Sequence, residues 1–191
     1  MGSISPHLPI PTEALVRSSV EKFDNDEATT ESTISKLFKL FPRNISLGDV
    51  LLKVIVLNNL YSTGIIATDK VAEHIVSQNI DVRLKKGDPK VVNLISYVRL
   101  GNKTRNNYSF ATKYCSWHNK SQYPIYDSIV DRMLWGYRKQ DNFCAFRRED
   151  LWDYEKFKEI ILKFRKHYAL TAFEFKDIDK FLWIVGKRLF E

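Results

Sequence analysis

Residues 108–135 read Y-S-F-A-T-K-Y-C-S-W-H-N-K-S-Q-Y-P-I-Y-D-S-I-V-D-R-M-L-W, and the fold reading turns on them. A short apolar segment carries one central lysine, Lys113. The polar turn Asn119 to Gln122 follows, and Pro124, Ile125, Tyr126 and Asp127 lead into a second helix. Lys113 keeps company with Phe110, Ala111, Tyr114, Cys115 and Trp117, where desolvation disfavours a cation. A carboxylate follows at the start of the next helix, so Lys113 and Asp127 are candidates for nucleophile and activator. The same residues also have structural uses. Asp127 and Ser128 suit a helix N-cap, Ser128 with Asp131 resembles a capping box, and Lys113 can snorkel from a half-buried helix.

Outward from this stretch the pattern is helical throughout. Pro6, Pro9 and Pro11 make residues 1–11 an extended arm. Thr12 can cap a helix carrying Ala14, Leu15, Val16 and Phe23 that fades by Asp26. From Glu31 to Phe41, Ile34, Leu37, Phe38 and Phe41 form one face, and Pro42 ends the run. Ser46 can cap a helix with Val50, Leu51, Val54, Ile55, Leu57 and Leu60, apolar over so much of its circumference that burial on several sides is expected. Its tail, Asn58 to Gly64, reads either as ordinary capping or as a polar rim over a pocket. Further helices are expected from Thr68 or Asp69, over Pro89–Arg99, from Asp127 to Arg138, over Trp152–His167 and over Phe175–Leu189. Lys85 to Pro89 reads as a turn, and Leu100 to Asn107 as a basic loop. No alternation calls for a sheet. The expected class is all-α, with residues 1–30 an arm and first helix and residues 31–191 a single helical domain.

At 191 residues with 44% hydrophobic and 13% aromatic side chains, the chain can bury a sizeable core. The net charge of +7 is uneven: residues 1–80 hold 7 Lys and Arg against 9 Asp and Glu, residues 81–191 hold 23 against 14. That bias suits a polyanion, with nucleic acid the leading candidate. In the basic loop, Lys103, Thr104, Arg105 and Asn106 are candidate phosphate contacts. Two cysteines, Cys115 and Cys144, are too few for a zinc or iron–sulfur site built on thiolates and suit a reducing compartment. The four histidines are scattered, so no metal and no cofactor are called for. No apolar run is long enough to span a membrane. A cytoplasmic monomer is expected. P-loop, dinucleotide, zincin and nucleophile-elbow motifs are all absent. Asn58, Asn59, Trp117, His118 and Tyr126 remain as companions of the Lys113/Asp127 pair.

A lysine-bearing helix, a turn, a proline-led segment and an aspartate opening a helix resemble the helix-hairpin-helix DNA glycosylase superfamily. F-A-T-K-Y-C at 110–115, Y-P-I-Y-D-S-I-V-D at 123–131 and D-I-D-K-F-L-W-I-V-G-K at 177–187 look like bacterial 8-oxoguanine DNA glycosylase-fold proteins. The segment V-L-L-K-V-I-V-L-N-N-L-Y-S-T at 50–63 resembles the helix bordering the base pocket in that superfamily. The likeness spans roughly residues 30–190. In place of the family's L-P-G-V-G hairpin stands the glycine-free N-N-Y-S-F-A-T at 106–112.

The resemblance implies a two-lobed helical bundle acting on damaged duplex DNA, with the base flipped out of the stack. Lys113 would match the Schiff-base lysine and Asp127 the superfamily aspartate. Asn58, Asn59, Trp117, His118 and Tyr126 would be candidates for the base pocket. The function implied is excision of an oxidised purine such as 8-oxoguanine, with abasic-site lyase activity, in a bacterial protein found with the nucleoid. The alternative is a non-catalytic DNA-binding protein of the same fold, mobile-element or defence-associated.

Overall fold

The computed structural model describes residues 7–190. Among these residues the chain is predominantly helical: α1 (Glu13–Asp26), α2 (Ala28–Leu40), α3 (Leu47–Leu60), α4 (Thr68–Ser77), α5 (Asp81–Lys86) and α6 (Lys90–Ser96) come first. Strands β1 (Tyr97–Leu100) and β2 (Lys103–Asn106) follow, then α7 (Tyr108–His118), α8 (Ser128–Asp141), α9 (Tyr154–His167) and α10 (Phe175–Phe190). A single 3-10 turn, Arg148–Trp152, precedes α9. Two compact units result. Residues 27–123 form one; residues 1–26 and 124–191 form the other. The first helix thus groups with the C-terminal helices, rather than standing apart from a 31–191 domain.

In the contiguous unit the organising element is α7. Tyr108 and every residue from Phe110 to Trp117 are buried, and α2, α3, α5 and α6 pack against the helix. The expected burial of α3 on several sides is corrected by the structure. Val50, Lys53, Val54 and Leu57 form the buried face of α3, whereas Leu47, Leu52, Ile55 and Leu60 are exposed. Spacing at i, i+3, i+4 and i+7 selects one face, and a lysine occupies a core position on it. Ser46 caps α3, its hydroxyl accepting from the Asp49 N–H at 3.5 Å. Lys85–Lys86 is not a turn but the end of α5, which stops at Gly87 in the left-handed region (φ 72°).

A second correction falls on residues 97–106. The expected helix to Arg99 ends at Ser96, and the expected basic loop is an antiparallel hairpin pairing Tyr97 with Asn106, Val98 with Arg105, Arg99 with Thr104 and Leu100 with Lys103. The physical reason is the Gly101–Asn102 dipeptide. Gly101 takes φ 60°, as two-residue hairpin loops with glycine first require.

In the discontinuous unit, α10 packs against α1 and α8. Phe23 meets Trp183 edge-on at 5.5 Å. Gly186 admits α8 closely: a Cβ there would stand 2.3 Å from Ile129 Cγ2. Tyr137, Phe143, Phe164 and Tyr168 form an aromatic cluster between α8 and α9. The arm at residues 7–11 is stapled to α8. The Gln140 amide accepts from Leu8 N and donates to Leu8 O, and the Tyr137 hydroxyl donates to Pro9 O. Residues 1–6 of the expected arm lie outside the described residues. Trp152, expected on the apolar face of a helix from 152, is instead 66% exposed in the 3-10 turn, because Asp153 caps α9 one residue later.

Candidate functional site

Lys113 lies on α7 and is 4% exposed. Its Nζ donates to Ser109 Oγ at 2.7 Å, one helical turn back, and sits 5.5 Å from the centre of the Tyr61 ring. The Tyr61 hydroxyl accepts from Trp117 Nε1 at 3.0 Å, so Tyr61 joins Lys113 and Trp117 in one cluster. Trp117 is buried and covered by the Lys120 ammonium, 4.1 Å from its ring centre.

Asp127 belongs to the other unit, where it is the N-cap of α8; its Oδ1 accepts from Ile129 N and Val130 N, both at 2.9 Å. Asp127, not Ser128, is therefore the cap. Asp131, expected to complete a capping box, is buried instead. It receives Arg148 Nε and Nη2 on Oδ1 and the Tyr126 hydroxyl on Oδ2. Tyr126 and Asp131 line a cavity of about 530 Å³ with Ser128, Arg132, Arg148 and Trp152. Burial and the Asp131 charge push the Tyr126 phenol up, keeping it protonated.

The other pocket candidates are placed differently. Asn58 clips the loop after α3: its Oδ1 accepts from Thr63 Oγ1 and Ile65 N, and its Nδ2 donates to Ile65 O. Asn58 and the exposed Asn59 line a separate cavity of about 590 Å³ with Ile55, Ser62 and Ile66. His118 faces neither cavity. It belongs to a buried polar network around Lys53.

Lys53 is fully buried. Its Nζ donates to Phe41 O (3.1 Å), Arg43 O (2.9 Å) and Asn44 Oδ1 (2.7 Å) and approaches His118 Nε2 at 3.4 Å. The amine thus occupies the C-terminal end of α2, where free carbonyls and the helix dipole favour a cation. Asn44 relays the contact. It accepts from the Tyr114 hydroxyl at 2.5 Å and donates from Nδ2 to Asp81 Oδ1 at 2.6 Å. Burial lowers the Lys53 pKa to about 8 against the partial opposition of Asp81 and Asp49. Burial, then the Lys53 charge, depress His118 to about 3, so its imidazole is neutral. With Nε2 turned to the ammonium as acceptor, the ring proton rests on Nδ1. Residue patterning offered a signal for Lys53, its place among Val50, Val54 and Leu57, but nothing that named its partners.

The four candidate phosphate contacts, Lys103, Thr104, Arg105 and Asn106, are together on β2 and all exposed. Lys85, Lys86, Lys90 and Arg99 are exposed as well. Among the described residues none of these six cations forms an ion pair with a carboxylate. The sequence between Asp88 and Asp127 contains no acidic residue.

The family model described as HI_0787_N, N-terminal domain, matches residues 15–122. The chain belongs to this family. The match stops one residue short of the boundary at Tyr123 that closes the contiguous unit. A relative from Haemophilus influenzae, described as an uncharacterized protein, is 46% identical over 134 residues, which cover 70% of this chain and 64% of the relative. No solved structure matches. Among the described residues no group of three or more His, Cys, Asp or Glu could hold a metal ion, and no helix is long and apolar enough to cross a membrane.

Proposed function

We propose that the protein binds duplex DNA through the basic surface of its 27–123 unit. One observation carries the reading: this unit holds the whole net charge of the chain. It has 14 Lys and Arg against 7 Asp and Glu, whereas the other unit has 16 against 16. Six of those cations lie between residues 85 and 105, exposed and without carboxylate partners among the described residues. Such cations gain by displacing condensed counterions from phosphates. The test is a salt titration of binding to a labelled duplex. The logarithm of the affinity falls linearly with log salt, and reversing Lys85, Lys86 and Lys90 to Glu abolishes binding. Binding that ignores salt, or survives the triple reversal, sinks the reading.

A second reading makes the protein a DNA glycosylase with lyase activity on an oxidised purine. What favours it is the buried amine of Lys113, held by Ser109 and close to Tyr61. As free base, Lys113 Nζ bonds to sugar C1′ while the glycosidic bond breaks and the base leaves with the electron pair and takes up a proton. Ring opening then gives an iminium, which borohydride reduces to a stable amine. Trapping is run on duplexes holding 8-oxoguanine or an abasic site. An adduct with the parent chain and none with Lys113→Ala supports it; no adduct and no released base leave the binding module alone.

A further inference from the structure

We infer that the β1–β2 hairpin is a base-reading ribbon for the major groove of duplex DNA, with Tyr97, Arg99, Thr104 and Asn106 as the reading face. This rests on the DNA-binding reading above and goes beyond phosphate attraction to sequence recognition. The pairing register decides which side chains share a face, since neighbours along a strand point to opposite sides. Tyr97 lies opposite Asn106, and Arg99 lies opposite Thr104. All four are exposed, Tyr97 at 52%. The alternate set, Val98 and Leu100, turns inward: Val98 is 1% exposed, and β1 packs against α4 and α6. The hairpin is therefore anchored through Val98 of β1, while its other face and the whole of β2 are exposed.

The free face carries groups suited to base edges rather than to a protein partner. An arginine matches guanine O6 and N7, an amide matches adenine, a hydroxyl accepts or donates, and a ring offers an apolar contact to thymine methyl. Arg99 is already oriented. Its Nε donates to Gly101 O at 3.2 Å, which leaves the two terminal nitrogens of the guanidinium to point onward as a pair. Each strand has four residues, about 13 Å of extended chain, and a two-stranded ribbon fits a groove about 12 Å wide. With no carboxylate between Asp88 and Asp127, nothing in this segment repels the phosphate walls. Lys103 and Arg105, on the opposite face of β2, and Lys85, Lys86 and Lys90 beyond the hairpin supply the charge for those walls.

The experiment is selection of duplexes from a random pool with the full chain, followed by affinity measurements on the winning and a scrambled sequence. The parent protein selects a motif. Arg99→Ala and Asn106→Ala each lower the ratio of affinities for the motif and the scrambled duplex by about 10-fold or more. Lys85→Ala with Lys86→Ala weakens both duplexes equally. Salt-sensitive binding without a motif, or a motif that survives both hairpin variants, overturns the ribbon and leaves the DNA-binding reading standing. No salt-sensitive binding by the parent chain overturns that reading, and the ribbon with it. All the substituted side chains are exposed, so an unchanged circular dichroism spectrum certifies the fold of each variant.

Discussion

The two units treat their cations in opposite ways. In the discontinuous unit charge is balanced and locally matched: Arg148 with Asp131, Lys156 with Asp150 and Lys180 with Asp24. In the contiguous unit one lysine is fully buried against carbonyl oxygens, and six cations stand exposed with no carboxylate partner among the described residues. Opposite charges held together leave little field, and a pair at the surface, such as Lys156 with Asp150, adds little stability. An unmatched set projects a potential that steers polyanions, and a buried cation ties a fold to its protonation. The same residue types thus stand matched in one half, and unmatched or buried in the other.

The largest effect that would test this contrast is Lys53→Met. It removes the donor to Phe41 O, Arg43 O and Asn44 Oδ1 together, and costs about 3–5 kcal/mol. Denaturation followed by Trp117, the one tryptophan of the 27–123 unit, in a chain with Phe at 135, 152 and 183, reads it out. A loss below about 1 kcal/mol would mean that water replaces the amine and that the network is not structural.

Next comes pH. Lys53 titrates at about 8 when folded against an ordinary 10.5. Between those values the unfolded chain holds the proton that the folded one has released, so stability rises with pH by at most about 1.4 kcal/mol per unit. His118 titrates at about 3 against 6.5, so the unfolded chain again binds more protons in that interval. Stability therefore falls as pH drops from 6.5 towards 3, with the same limiting slope. Urea denaturation as a function of pH should show both limbs, and His118→Asn should flatten the acid one. Equal limbs in parent and variant would refute the assignment.

Smaller still is Asp127→Ala, which strips the α8 cap from Ile129 and Val130 at about 1 kcal/mol. The effect should appear in the discontinuous unit, read by Trp183 fluorescence, and leave the Trp117 transition unmoved. Smallest is Lys156→Met, a partner of Asp150 on an exposed surface; thermal denaturation should register a barely measurable loss. A larger loss would show that the matched pairs are structural after all.

How far the sequence could be read differs between these features for physical reasons. The α1, α2, α3 and α10 runs follow from periodicity and capping, both local, and Asp127 as a cap needs only its neighbours. The hairpin escaped because four residues alternate too briefly to outweigh the preceding helical run, although Gly101–Asn102 carried the turn signal. Lys53 escaped because attention to apolar positions passes over a lysine standing among them. The surroundings of Lys113 were legible as burial, but not as Ser109 and Tyr61, since long-range partners are set by packing. Nor could spacing tell that Asp131 would turn inward to Arg148 while Trp152 turned outward.

The staple between the arm and α8 has a consequence for how the molecule is made. Leu8 and Gln140 are 132 positions apart in the chain. Loop closure over such a distance is slow, and its entropic cost precedes any reward from contacts. Residues 27–123 have no such wait, because the unit is contiguous in the chain and complete once Tyr123 has left the ribosome. On the ribosome the basic half is therefore ready to fold first. Leu8 and Pro9 wait for α8 to arrive.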